Sequence, residues 1–407
     1  MNHHPPVPAH RLQRQSGPGG RFSRRDLLAM AGAWALAGCG GGGGEGSGGG
    51  GSGAGEGRFT AVPSMSVSRD RASAVRLADG RVLVAGGRST SNAGLLTSAE
   101  IYDPAAARWS ATGSLNAANW TSFLVALSNG MVLAVGGQST ARVTELYDPG
   151  SGRWTRGADS PLAFAGSNGT LTLLADGRVL ALPGGATQGM LYTPTTGLWS
   201  TVAGFDARQS HASTRLSDGR VLVSGGFSGT VGNKLSTAVL FSPANGTWQS
   251  TGTLRNARHG HFASRLADGR VLISHGVVAG TTLQDTSEIY NPSSGAFGPA
   301  GNILKFSPST FGAAGAEAGG RWLVLGGSID GSSAILDNPP QGLLNETNAE
   351  AFDAGTSTWE RITPGGAGLV VPRLYHVAVA LVDGRVLVAG GYNGNFLSAA
   401  EIWQAGT

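Results

Sequence analysis

A recurring arginine–histidine pair is the first feature of the sequence that could do chemistry. Guanidinium and imidazole groups gathered at one place could hold a carboxylate, a sulfate or a sugar acid. Alternatively, each pair hydrogen-bonds the backbone of neighbouring strands, and its repetition favours this structural role. The pattern Arg-x-x-His and its immediate relatives supply eight candidate ligand-binding residues: Arg69, which lacks the histidine, Arg208, His211, Arg258, His261, Arg373, Tyr375 and His376.

Three histidines that fall close together invite a metal-site hypothesis: His259, His261 and His275. We expect Asp268-Gly269 to form a two-residue turn between two strands. In that register His275 pairs with Phe262 and points to the opposite face of the sheet from His261. Three convergent imidazoles are then not expected, so the sequence predicts no metal at this position. We also expect no cofactor, and catalytic residues are not identifiable.

A repeated phrase identifies the elements that must position these side chains. The eleven residues Leu77–Gly87 return as Leu216–Gly226 and Leu381–Gly391, and in looser form four more times. Asp-Gly between apolar runs indicates a hairpin turn, because glycine accepts the positive φ angle of such a turn. A second strand then ends in a turn such as Tyr102-Asp-Pro104, and an aromatic residue such as Trp109 lies five residues further on. Each repeat therefore predicts four strands of an antiparallel meander.

These features together resemble the kelch repeat of the galactose oxidase-like superfamily. The resemblance covers residues 58–407 in seven copies. It implies an all-β fold, a seven-bladed kelch-type β-propeller with four-stranded antiparallel blades around a central channel. The last repeat ends before its outer-strand aromatic, whereas the unassigned stretch Phe59–Met65 precedes the first full repeat. We therefore predict that the last blade is closed by an N-terminal strand, which removes an open sheet edge.

One segment invites a closer comparison with the galactose oxidase family. Arg373-Leu-Tyr-His376 resembles the copper-binding Tyr-His of that family, which implies that Tyr375 and His376 would be copper ligands. The rest of the family pattern is missing. No cysteine remains to crosslink a radical tyrosine, Arg69–Ala72 has no tyrosine, and the chain ends where that family has a further domain that supplies another histidine. Copper-radical oxidation is therefore not expected.

The head of the chain predicts its destination. Ser23–Leu28 resembles a twin-arginine export signal, and a short apolar segment ending in Leu36-Ala-Gly-Cys39 resembles a bacterial lipobox. We predict an export signal over 1–38, lipidation of Cys39, and a glycine-rich flexible tether over 39–57. The chain would then be a membrane-anchored lipoprotein of the cell envelope, periplasmic or at the outer membrane or cell surface.

Charge and motifs exclude several functional classes. The formal charge is +4, but residues 1–38 hold five of the 29 basic residues and one of the 25 acidic residues, so 24 of each remain. A processed chain lacks the basic field of a nucleic-acid-binding protein, and we expect no nucleic-acid partner. Cys39 is the only cysteine, which excludes thiolate metal clusters. No P-loop, nucleophile elbow or zinc-protease motif occurs.

Topology indicates which end of a propeller carries the ligand site. In a four-stranded meander the Asp-Gly and Tyr-Asp-Pro turns lie at one end, and the more variable loops, with 328–348 the longest, lie at the other. We predict a monomeric, non-catalytic module that binds a protein or carbohydrate on its loop-rich face. The alternative is a carbohydrate-active enzyme, similar to sialic acid mutarotase, with Arg208, Arg258, Arg373 and His376 around a pocket.

Overall fold

The computed structural model describes residues 57–406, apart from 90–93, 119–122, 138–141, 165–168, 230–232, 279–285, 304–312, 328–348 and 363–367. In this part of the chain every regular element is a β-strand, and the strands form seven four-stranded antiparallel sheets. No helix in the described residues is long and apolar enough to cross a membrane. The predicted seven-bladed, all-β architecture is confirmed. The predicted export signal, Cys39 and all but the last residue of the tether lie outside the described residues, as does the loop 328–348.

Each blade runs from an inner strand to an outer strand, and the blades are numbered here in chain order. Blade 1 contains β2 (Ser73–Arg76), β3 (Val82–Ala85), β4 (Ala99–Asp103) and β5 (Arg108–Thr112). Blade 2 contains β6 (Phe123–Ala126), β7 (Val132–Val135), β8 (Thr144–Asp148) and β9 (Arg153–Arg156). Blade 3 contains β10 (Thr170–Leu173), β11 (Val179–Leu182), β12 (Gln188–Thr193) and β13 (Leu198–Ala203).

The remaining blades repeat this order. Blade 4 contains β14 (Ala212–Arg215), β15 (Val221–Ser224), β16 (Ala238–Ser242) and β17 (Thr247–Ser250). Blade 5 contains β18 (Phe262–Arg265), β19 (Val271–Ser274), β20 (Thr286–Asn291) and β21 (Ala296–Asn302). Blade 6 contains β22 (Ala314–Ala318), β23 (Arg321–Leu325), β24 (Ala349–Asp353) and β25 (Thr358–Arg361). Blade 7 contains β26 (Val377–Ala380), β27 (Val386–Ala389), β28 (Ala400–Gln404) and β1 (Arg58–Val62).

The N-terminal strand closes the ring as predicted. β1 pairs antiparallel with β28, with Phe59 opposite Trp403 and Arg58 opposite Gln404. Phe59 thereby takes the outer-strand aromatic position that Trp109 holds in blade 1, where Trp109 lies opposite Tyr102. The strand ends at Val62, earlier than the predicted Met65, whose side chain is buried against blades 7 and 1. Closure therefore comes from residues at the two ends of the described chain.

The Asp-Gly turns hold three residues instead of two, which corrects the predicted register. In blade 5 the Leu266 amide donates to the Arg270 carbonyl, and the Asp268 carboxylate accepts from the Arg270 amide. Only Gly269 of that turn has a positive φ, of 86°. Phe262 therefore pairs with Ser274, and its predicted pairing with His275 was wrong by one residue. An aspartate that caps the turn with its own side chain favours the longer loop.

Side chains on the outer strands and at the short turns form hydrogen bonds between neighbouring blades. The indole of Trp109 in blade 1 donates to the Pro63 carbonyl that follows the outer strand of blade 7, over 2.8 Å. Trp154 in blade 2 makes the same contact with Gly113 of blade 1, over 2.9 Å. At the short turns, Arg178 binds its own Asp176 and also donates to the Pro243 carbonyl of the next blade. Trp109, Trp154 and Arg178 therefore each bond one blade to its neighbour.

The two ends of the propeller differ. The turn face carries the Asp-Gly turns and the turns between the third and outer strands, such as Pro104 and Pro149. The loop face carries the connections that follow each Gly-Gly pair and those that lead to each inner strand. Successive inner strands contact one another around most of the ring. The residues just before these strands also bond across blades at the loop face, where Arg71 N–H donates to Tyr375 O and Gly260 N–H donates to Ser210 O.

Candidate functional site

The predicted ligand-binding arginines are buried, and their guanidiniums donate into the blades. Arg69 donates to the carbonyls of Gly86 and Ser98, over 2.8 and 2.9 Å, and forms an ion pair with Glu100 at 3.0 Å. The ion pairs Arg258–Glu288 and Arg373–Glu401 repeat this arrangement at 2.8 and 2.6 Å. The same carboxylates also accept backbone amides of the incoming loop, as Glu100 does from Ser66 and Val67. Each pair therefore clamps a loop to its blade.

Blade 4 shows what happens when the carboxylate of this clamp is missing. Val239 stands where blades 1, 5 and 7 have glutamate. Arg208 keeps its bonds to the carbonyls of Gly225 and Thr237, and takes its ion pair from Asp206, two residues earlier. Burying a guanidinium without a carboxylate is costly, so a partner is recruited from a different position.

The histidines of the Arg-x-x-His pattern pack between blades. His261 lies against blade 4, with its Nε2 atom 2.9 Å from the Ser224 hydroxyl. A Cβ added to Gly225 would lie 2.7 Å from the His261 ring, so glycine is needed where the imidazole enters. His376 meets Gly326 of blade 6 in the same way, and His211 lies 3.2 Å from the Thr170 hydroxyl of blade 3. These three side chains therefore face neighbouring blades.

Burial keeps these imidazoles neutral. Together with the nearby Arg208 guanidinium, which contributes less, burial lowers the pKa of His211 to about 3. The same causes, burial first and then Arg373, lower the pKa of His376 to about 3. The pKa of His261 is also well below its usual value, because of burial and then Arg258. A neutral, enclosed imidazole suits packing between sheets.

His275 fills a gap that the repeat leaves in blade 6. It replaces the first glycine of the Gly-Gly pair and has a positive φ of 63°. In the next blade the histidine position is taken by Ala313. The imidazole of His275 points toward blade 6, with its ring centroid 5.3 Å from that of Trp359. Histidine in place of glycine in blade 5 thus compensates for alanine in place of histidine in blade 6. His275 and His261 contact opposite neighbouring blades, although the register from which this was predicted is wrong by one residue.

A second group of charged residues lies at the loop face between blades 7 and 1. This axial cluster consists of Asp70, Arg71, Arg88 and Tyr375. Arg88 bonds the Asp70 carboxylate through Nε and Nη2, over 3.0 and 3.1 Å, and Arg71 bonds it over 2.5 Å. The Arg71 guanidinium carbon lies 3.7 Å from the centre of the Tyr375 ring. Asp70, Arg71 and Tyr375 are buried, whereas the Arg88 side chain keeps 15% of its surface exposed.

Asp70 and Arg88 of the axial cluster stand at repeat positions whose backbone pairing is the same in several blades but whose residue type varies. Asp70 and Arg88 pair as an isolated antiparallel bridge. The equivalent bridges in blades 4, 5 and 7 join Gln209 to Phe227, His259 to Val277, and Leu374 to Tyr392. Those pairs hold the same backbone geometry without an ion pair. The charges in blade 1 are therefore an addition to the scaffold.

The pair Tyr375–His376 does not fit a copper ion in this arrangement. The Arg71 guanidinium covers the tyrosine ring, and Arg88 adds a second positive charge beside it. A metal cation there would face electrostatic repulsion from both. His376 is enclosed against Gly326 in the blade interface. No group of three or more His, Cys, Asp or Glu residues in the described ranges could hold a metal ion.

Sequence comparisons found no matching family model and no matching curated protein. Solved structures do match the fold. A fungal alcohol oxidase of the AA5 family, solved in complex with copper, superposes with a TM-score of 0.66 at 16% identity. The match covers 86% of this chain and 76% of the oxidase. At this identity the likeness shows a shared propeller fold and carries no residue assignment.

Sequence reasoning placed Tyr375 among the candidates but missed Asp70, Arg71 and Arg88. The structure brings Tyr375 to these three residues and places the other candidates in blade clamps and blade interfaces. The available signal was a departure from the repeat. Arg88 follows a Gly-Gly pair at a position where other copies carry Phe227 or Tyr392.

Proposed function

We propose that the protein is a lipid-anchored, non-catalytic binding module of the cell envelope that presents its loop face to a ligand. The observation that carries this proposal is the point at which the N-terminal segment enters the propeller. β1 is an outer strand, and its first residue, Arg58, pairs with Gln404 at the turn face. A segment that precedes Arg58 therefore approaches from the turn face, opposite to the loop face.

The predicted tether, together with this entry point, determines which face of the propeller lies nearer the membrane. Residues 40–57 are almost entirely glycine, with a few serine, alanine and glutamate residues, and a flexible segment of this length has an r.m.s. reach of roughly 23 Å. Lipid on Cys39 would hold the turn face nearer the membrane and leave the loop face pointing away. Binding residues in proteins are commonly carried on variable loops above a rigid scaffold, which favours the outward face as the binding face.

Fractionation of the full chain tests the anchor. We expect the wild-type protein to sediment with membranes and Cys39→Ala to remain in the soluble fraction. Ser47→Ala, in the tether, is the matched control and should behave as wild type. Membrane association of Cys39→Ala would refute the anchor.

The predicted orientation can be measured with a fluorescent donor attached to a single engineered cysteine in the lipidated protein. Ala106→Cys labels an exposed position on the turn face, and Asn395→Cys labels an exposed position on the loop face of the adjoining blade. We expect more energy transfer from Ala106→Cys to an acceptor-labelled lipid. Equal or greater transfer from Asn395→Cys would refute the proposed orientation.

The second candidate function is a carbohydrate-active enzyme with its site at the channel mouth. The likeness of fold to an alcohol oxidase is the observation that favours it. In the sequence prediction Arg208, Arg258, Arg373 and His376 surround the substrate. Turnover of a sugar by the purified full chain, lost in a folded Arg373→Lys variant, would support the enzyme over the binding module.

A further inference from the structure

We propose that the axial cluster of Asp70, Arg71, Arg88 and Tyr375 binds a carboxylate ligand that carries a ring beside its acid group. This inference deepens the proposed function, because it rests on the loop face being the binding face. It names the site on that face and the chemistry of the ligand.

The first argument is the free-energy cost of burying the charges of the cluster. Arg71 and Asp70 are buried, and burying charges is expensive even when they are paired. The scaffold does not require them, since blades 4, 5 and 7 form the same backbone bridge with uncharged side chains or histidine. Arg71 and Tyr375 also stand at a repeat position of positive φ, 49° and 55°, where blades 4 and 5 carry the smaller Ser210 and Gly260. Buried charge that the fold does not use indicates a functional role.

The second argument is the sign and shape of the charge. Two guanidiniums share the Asp70 carboxylate, so the group brings more positive than negative charge to one place. Asp70 holds Arg88 through two parallel bonds and thereby fixes the plane of that guanidinium. A planar, oriented guanidinium is matched geometrically by a carboxylate. Burial raises the pKa of the Tyr375 hydroxyl, although Arg71 opposes this effect, so the tyrosine stays neutral beside the ligand.

The third argument is the surface beside Arg88. The guanidinium carbon of Arg88 lies 5.6 Å from the centre of the Phe396 ring, and Phe396 meets Tyr392 at 5.2 Å in an edge-to-face contact. Both aromatic side chains are half-buried, and Asn395 beside them is exposed. An acid bound at Arg88 would therefore place its adjoining group beside the Phe396 and Tyr392 rings. A flat or puckered ring buries more surface there than an open chain does.

The ring could belong to an aromatic acid or to a sugar acid, which share the carboxylate chemistry. Isothermal titration of the full-length protein separates them with two matched pairs of probes: benzoate against benzamide, and glucuronate against glucose. We expect at least one acid to bind about tenfold or more tightly than its neutral partner, and added salt to weaken that binding. Equal affinity within both pairs, or no binding of either acid at millimolar concentration, would overturn the proposal.

Arg88→Gln locates the binding. We expect it to weaken binding of the acid by tenfold or more, whereas Arg156→Gln, at an exposed ion pair on an outer strand, should leave the affinity unchanged. Circular dichroism checks that both variants are folded. If Arg88→Gln does not fold, the comparison of acid with neutral partner on the wild-type protein still tests the proposal. A folded Arg88→Gln that binds as wild type overturns this site but leaves the binding module intact. Failure of the anchor and orientation experiments, with normal titrations, would instead refute the proposed function.

Discussion

Two sets of arginines in this propeller look alike in the sequence and have opposite roles in the structure. Arg69, Arg258 and Arg373 recur at one repeat position, and each is paired with a glutamate of its own blade. Arg71 and Arg88 occur once, at positions that carry other residues elsewhere in the ring. The comparison teaches that in a repeat protein recurrence marks what every blade needs, whereas a functional role is sought in departures that, unlike His275, compensate for nothing in the scaffold.

Acid should have the largest effect on stability, through the histidines that are buried between blades. His211, His275 and His376 have pKa values of about 3 in the fold, lowered mainly by burial, against 6.5 when unfolded. Below pH 6.5 the unfolded chain takes up protons that the folded chain cannot, so stability falls as the pH falls from about 6.5 toward 3. At pH 5 each histidine should lower the free energy of unfolding by about 2 kcal/mol relative to neutral pH. Urea unfolding measures this, and equal free energies at pH 7 and pH 5 would contradict it.

Removing one buried arginine–glutamate ion pair should have the next largest effect on stability. Arg258→Met leaves Glu288 buried without its ion pair, which should lower the free energy of unfolding by about 3–5 kcal/mol. The double variant Arg258→Met/Glu288→Met should recover part of that loss, because the stranded charge is gone. Arg156→Met is the exposed control and should change stability by less than about 1 kcal/mol. A loss no greater than the control's would mean that these arginines are not structural.

The packing of His275 opposite Ala313, at the interface of blades 5 and 6, provides a further test of structural compensation between blades. His275→Gly should lower the free energy of unfolding by about 1–3 kcal/mol, since the loss of packing against Trp359 outweighs the relief of a positive φ. Adding Ala313→His restores the usual glycine–histidine contact of the other blades, and should return part of the stability. Additive losses in a double-mutant cycle would show that the two positions are not coupled.

The smallest effect on stability is expected in the axial cluster. Arg88 is partly exposed, so Arg88→Gln should change the free energy of unfolding by no more than about 1 kcal/mol. Thermal denaturation without ligand measures this. A loss as large as that of Arg258→Met would place Arg88 with the structural arginines.

Much of the fold could be predicted because it is repeated. Asp-Gly, Gly-Gly and a spaced tryptophan are local signals, and the missing outer strand of blade 7 pointed to Phe59. The turn register was wrong by one residue because Asp268 caps a three-residue loop with its own carboxylate, a choice that depends on side-chain geometry.

The axial cluster was harder to predict. Arg71 and Tyr375 lie about three hundred residues apart in sequence, and only closure of the ring brings them into contact. Repetition favours a structural role for the recurrent arginines, but the sequence also leaves them as ligand-binding candidates, because their glutamate partners, on the third strand of the same blade, carry no local sequence signal of pairing.

The most direct test compares Arg373→Gln with Arg88→Gln by thermal denaturation, with and without whichever acid the titrations identify. We predict that Arg373→Gln lowers Tm but keeps the ligand-induced rise, whereas Arg88→Gln keeps Tm and loses that rise. The reverse result, with ligand stabilisation lost in Arg373→Gln and kept in Arg88→Gln, would contradict the division between structural and binding arginines.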